Sequence, residues 1–117
     1  ALNLEGKIAL SVGELTQAQK SFTEAGKVAS EIQALPILLD ALVGLATLAA
    51  QSGQHERALQ WAVHILQHPS STQDTRNRTE GLRLELETQL TAQQIETIRL
   101  RGQSITLQEI LQEAWMK

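Results

Sequence analysis

The chain has 117 residues, a net charge of −3 and no cysteine. That length suits one domain with its own core. The missing thiols exclude disulfides and thiolate metal sites and fit a reducing cytoplasm, and the charge sets up no overall attraction to nucleic acid or anionic lipid. The aromatic residues are Phe22, Trp61 and Trp115, too few for a base-stacking platform or a typical catalytic pocket.

The first helix is short, with Leu2, Leu4, Ile8, Ala9 and Val12 as its apolar residues and Gly13 as its stop. A second follows in which Leu15, Ala18, Phe22, Ala25, Ala29 and Ile32 recur at steps of 3, 4, 3, 4 and 3. Those steps form one continuous helical stripe. Pro36 breaks the pattern, because proline disfavours helix in the residue before it. A third helix, 37–52, is apolar almost all round and must be covered on more than one side. Its most apolar stretch, 41–50, is about half a bilayer crossing, so no membrane span is expected, and no signal peptide is legible.

Gly53 ends that helix, and a fourth turns Ala58, Trp61, Ala62, Ile65 and Leu66 inward. Pro69, Ser70 and Ser71 make the next break. Residues 72–79 are polar, and Leu82, Leu86 and Leu90 then resume a helical spacing over 79–90. The stretch 82–86 also alternates like a strand, but it has no second strand to pair with. Thr91 with Gln94, and Thr106 with Glu109, match the capping box that opens a helix. Two short helices are therefore expected at 92–101 and 107–116, separated by Gly102.

Slid against itself by 40 positions, the sequence places Gly13 on Gly53, Ala18 on Ala58, Phe22 on Ala62 and Ala25 on Ile65. Leu15 falls on His55, so the match is imperfect. Each unit reads helix, glycine turn, helix, with small residues where the two helices cross and glycine for a left-handed turn.

This pattern resembles the tetratricopeptide repeat. Gly6, Gly13, Ala18, Phe22 and Ala25 stand at the family's positions in the first unit, and Leu42, Leu45, Ala46, Gly53, Ala58 and Ala62 in the second. The usual first-helix Trp and Tyr are missing, and the period exceeds the family's ~34 residues. The resemblance implies an all-α superhelix. Residues 1–69 would hold two repeats, 1–35 and 36–69, and 70–117 a partial third with a helical cap sealed by Ile110, Leu111 and Trp115. It extends to the C-terminal repeat domains of large bacterial signal-transduction and LuxR-type transcription regulators. The start at Ala1 instead of Met fits a piece of such a cytoplasmic protein.

The function that the resemblance implies is protein–protein interaction or scaffolding, with a protein or peptide partner in a concave groove. First-helix positions would contact it: Asn3, Lys7, Leu10 and Ser11, then Asp40, Val43, Thr47, Ala50 and Gln51, and in the third unit Glu80, Arg83 and Glu87. Self-association, a capping role inside a multidomain signalling enzyme, and effector sensing are the alternatives.

No catalytic, cofactor or metal site is expected. Serine, histidine and aspartate occur without a nucleophile motif, and no phosphate-cradling glycine loop is present. His64 and His68 stand one helical turn apart, as two metal ligands do, but without a third ligand nearby they read as structural. Arg76, Arg78, Arg83, Arg99 and Arg101 lack interleaved aromatics and read as a solvated face, not a nucleic-acid surface.

Overall fold

The computed structural model describes residues 2–102 and 104–115, apart from the side chains of Leu2 and Trp115. Among them the chain forms seven α-helices and no strand: α1 (Leu2–Ser11), α2 (Leu15–Glu31), α3 (Leu35–Gln51), α4 (His55–Gln67), α5 (Gln73–Glu87), α6 (Ala92–Gly102) and α7 (Leu107–Trp115). The all-α expectation holds, and no helix among these residues is long and apolar enough to cross a membrane.

One turn is used three times. Gly13, Gln33 and Gly53 take the left-handed conformation, with φ of 83°, 57° and 84°. The next residue's N–H then reaches back five positions, from Glu14 to Ala9 O at 2.8 Å, Ala34 to Ala29 O at 2.8 Å and Gln54 to Ala49 O at 2.9 Å. This is the bond that closes a Schellman motif and satisfies an orphan carbonyl at the helix end. The turn therefore recurs every 20 residues, half the offset found in the sequence. Gln33 hid the middle copy by standing where glycine is usual. Pro36 does not break a helix. It lies in the first turn of α3, where its missing N–H has no helical partner to lose.

The central helix is α3. Leu38, Leu39, the run from Ala41 to Ala46, Leu48 and Ala49 are all buried, because α2 and α4 pack along it while α1 and α5 flank it. Phe22 on α2 is its main wedge. A Cβ added at Gly6 of α1 would come within 2.8 Å of the Phe22 ring, and one at Gly44 of α3 within 2.5 Å. Glycine at both places lets the ring slot between two backbones.

The α2 stripe is buried at Ala18, Phe22, Ala25 and Ala29. Its end members Leu15 and Ile32 are exposed, since they lie beyond the reach of the neighbouring helices. Among the described side chains of α1 the buried residues are Gly6 and Ala9. Leu4 and Ile8 of α1, and Val12 just after its end, face out with 58%, 55% and 64% of their surface exposed.

The polar stretch 72–79 is mostly helical. Thr72 caps α5 by accepting from Thr75 N at 3.1 Å, and Thr75, Thr79, Leu82 and Leu86 form the buried stripe. Thr79 Oγ1 donates to Thr75 O at 2.7 Å, which satisfies the hydroxyl and leaves the methyl for packing. Arg76 staples the preceding loop, donating to Ser71 O at 3.0 Å, Leu66 O at 3.2 Å and His68 O at 2.9 Å.

The Thr91 box forms in full, with Thr91 N donating to Gln94 Oε1 at 2.9 Å and Gln94 N to Thr91 Oγ1 at 3.1 Å. At α7 half of it forms: Glu109 N donates to Thr106 Oγ1 at 3.2 Å, while that hydroxyl donates to the Glu109 carboxylate. The last helices do not stack past α5. Helix α6 packs on α4, and α7 folds back. Its Leu111 joins Ala29 of α2 and Leu38 of α3, and Ala114 faces Leu45, Leu48 and Trp61. Ile110 and Leu111 are buried as a seal should be, but across the earlier helices. The Trp115 side chain, the third member of that expected seal, and Met116 lie outside the described residues.

Candidate interaction face

Helices α1, α3 and α5 lie side by side, and a polar ladder crosses them. Lys7 Nζ of α1 meets Asp40 Oδ2 of α3 at 3.2 Å, and the other Asp40 oxygen accepts from Arg78 of α5, which also holds Asp74 at 3.2 Å. Above it, Asn3 Nδ2 donates to Ile37 O at 3.3 Å, and Asn3 Oδ1 is buried without a partner. The two cations share one carboxylate in a half-buried place. Burial lowers the Lys7 ammonium pKa below its ordinary value and Arg78 adds to that, while Asp74 opposes both. Burial also lowers the pKa of Arg78.

Further along, α3 and α5 part to leave a cleft of about 240 Å³ with Thr47, Ala50 and Gln51 on one wall and Leu82, Leu86 and Gln89 on the other. The Thr47 hydroxyl donates to Val43 O at 2.9 Å and so turns its methyl outward from that bond.

The expected groove residues do not all come together. Asn3, Lys7 and Asp40 come together in the ladder, and Thr47, Ala50 and Gln51 in the cleft. Val43 is 3% exposed and belongs to the core, and Leu10 is half-buried against that core. Ser11 is exposed and donates to Ile8 O at 2.9 Å. Arg83 lies on another side of α5. It pairs with Glu80 and Glu87 on its own helix and lines a separate cleft with Leu59, Val63 and Ile95. Those two hydrogen bonds raise the pKa of Arg83. The residues of α5 that do face α3 are Arg78, Leu82 and Leu86, with Gln89 just beyond its end. The signal was the stripe Thr75, Thr79, Leu82, Leu86, whose first half is masked by hydroxyls.

The other singled-out residues lie away from this face. The His64 and His68 rings are 5.9 Å apart, and His68 Nδ1 accepts from Ser70 N at 3.1 Å. His64 Nε2 is buried without a partner, and burial followed by the charge on His68 lowers its pKa below the ordinary histidine value. Among the described residues no group of three or more His, Asp or Glu side chains stands close enough to hold a metal. Arg76 is the loop staple, and Arg99 pairs with Glu96, holding that carboxyl below its usual range.

No family model matches the chain, and neither a curated protein nor a solved structure matches it.

Proposed function

We propose that this chain is a protein-interaction module of the tetratricopeptide-like kind, which holds a peptide segment of a partner protein along the α1–α3–α5 face. The observation that carries this reading is the row of three helices cross-tied by Lys7, Asp40 and Arg78 beside the Thr47–Gln51 cleft. A face tied in this way is ordered before a partner arrives, so little ordering entropy opposes binding. The cleft mixes apolar Leu82 and Leu86 with amide side chains, which suits side chains and backbone of a peptide together. Recognition proceeds without chemistry, and the module would sit in a larger cytoplasmic bacterial regulator.

Selection of peptides from a random displayed library against the intact chain tests this. Selected peptides should shift the amide resonances of Thr47, Gln51 and Leu86, and Gln51→Arg should abolish their binding while leaving the fold intact. Peptides that bind equally well to Gln51→Arg would place recognition elsewhere and sink the reading.

A second reading, self-association, is favoured by the exposed stripe of Leu4 and Ile8 on α1 with Val12 just after it. Light scattering over a concentration series separates the two. A dimer that Ile8→Glu dissolves supports assembly through α1, whereas a monomer at every concentration removes that alternative.

A further inference from the structure

We infer that the outer side of α1 docks a helix pair built like α1–α2 and supplied from outside residues 1–117, with the second helix of that pair lying on Leu4 and Ile8 as α2 lies on α3. Exposed large apolar side chains gather toward this end of the molecule. Among the described residues, all of them but Leu84 and Leu100 fall before residue 38. Leu4 and Ile8 stand one turn apart on the first helix of the array. An apolar stripe there is the reverse of a finished end, because a repeat array closes with a polar outer face.

The repeat identifies what covers such a stripe. In the 40-residue register that sets Gly13 on Gly53, Leu4 falls on Gly44, Glu5 on Leu45 and Ile8 on Leu48. In α3 all three positions are buried, whereas in α1 all three are exposed. The cover on α3 comes from α2, and no other pair of helices packs more extensively. Its Phe22 ring lies against Gly44, and its Gln19 lines a small cavity with Leu45 and Leu48. The side of α1 that corresponds to this junction is the bare one.

The differences between α1 and α3 describe the occupant. Leucine stands on α1 where α3 has glycine, so a close-packed joint leaves no room for a ring at the place of Phe22. The covering helix takes alanine or glycine there. The second repeat already makes that exchange, with Ala62 of α4 at the Phe22 position. Glu5 replaces Leu45, so lysine or arginine suits the place of Gln19. A second copy of this chain has no such helix to offer, since its α2 is taken by α3 and its α4 by α5 and α6. The joint depends on the repeat register and not on the Thr47–Gln51 cleft, so it and peptide binding at that cleft can fail separately.

The test extends the whole chain at its N-terminus by a copy of residues 1–40, which keeps the repeat period and puts Ala1 after Asp40, where Ala41 otherwise stands. The copy carries Leu4→Gln and Ile8→Gln to make its own outer side polar, with Gln19→Lys and Phe22→Ala to fit the joint. Circular dichroism should show the added helices. Amide exchange from Gly6 to Ser11 of the original α1 should slow about tenfold or more, the scale of burying one apolar side chain. A copy that keeps Phe22 should leave that exchange near its value in the parent, because the ring then meets leucine in place of glycine. Equal protection by both copies, helices gained without protection of α1, or no helices gained would each overturn the proposal. So would a parent chain that dimerises in light scattering and loses the dimer with Ile8→Glu, since a second copy would then occupy the face.

Discussion

Glycine has opposite meanings at two helical positions of this chain, and the neighbours decide which. Gly44 faces the Phe22 ring so closely that a Cβ would come within 2.5 Å of it, whereas Gly81 on α5 has nothing within 4 Å. Alanine is favoured over glycine in a helix by about 1 kcal/mol, while overpacking a core costs about 1–3 kcal/mol. Gly81→Ala should therefore raise the midpoint of urea unfolding, and Gly44→Ala should lower it, with a net loss of stability of up to about 2 kcal/mol. Phe22→Leu combined with Gly44→Ala should cost less than the sum of the two separate losses, because the clash disappears with the ring. His64 supplies a pH dependence at the same scale. Its folded pKa lies below the ordinary 6.5, so the unfolded chain binds the proton more tightly. Its contribution is complete above that value and falls away as acid protonates the unfolded chain first. The melting temperature should drop between about pH 7.5 and 5.5, and His64→Gln should flatten that slope. A profile equally steep in the variant would assign the effect to other groups.

At the scale of elements, the turns and caps divide what was legible from what was not. Gly13, Gly53 and the Thr91–Gln94 box could be read directly, since glycine and threonine stand where their chemistry is used. Gln33 could not, because nothing in a glutamine announces a left-handed turn. Relief of that strain is measurable: Gln33→Gly should stabilise the chain by about 1 kcal/mol, read as a higher urea midpoint. The start of α5 was illegible for a related reason. Its buried stripe begins with Thr75 and Thr79, which look polar in sequence but bury their methyls once their hydroxyls are bonded. The α5 register stayed hidden with it, so Arg83 was assigned to the face that Arg78 occupies. Arg76 looked like surface charge although it holds three carbonyls of the 66–71 segment. Arg76→Ala should cost about 2 kcal/mol in thermal unfolding, and Arg76→Lys should restore only part, since an ammonium cannot reproduce the planar fork. Full rescue by lysine would reduce the staple to a simple charge effect.

For the whole molecule, the deciding element is the one that folds back. Consecutive helices pack in pairs along α1 to α5, as a repeat array would, yet the extents are 38 × 30 × 28 Å, nearly even in every direction. Helix α7 accounts for this by reaching α2, α3 and α4 at once through Leu111, Ala114 and the Glu113–Arg57 pair. The sequence announced the helix through its spacing and its Thr106 cap, but where it docks depends on helices more than 40 residues away, and no local pattern encodes that. Ile110 is fully buried within the main cluster, so Ile110→Ala should cost about 2–5 kcal/mol. If α7 closes the core, the loss should not stay local. Hydrogen exchange should accelerate at Ala29, Leu38 and Trp61 as well as along α7, and an apolar dye should begin to bind. Exchange that quickens in α7 alone would make it an appendage whose removal leaves the helix array standing.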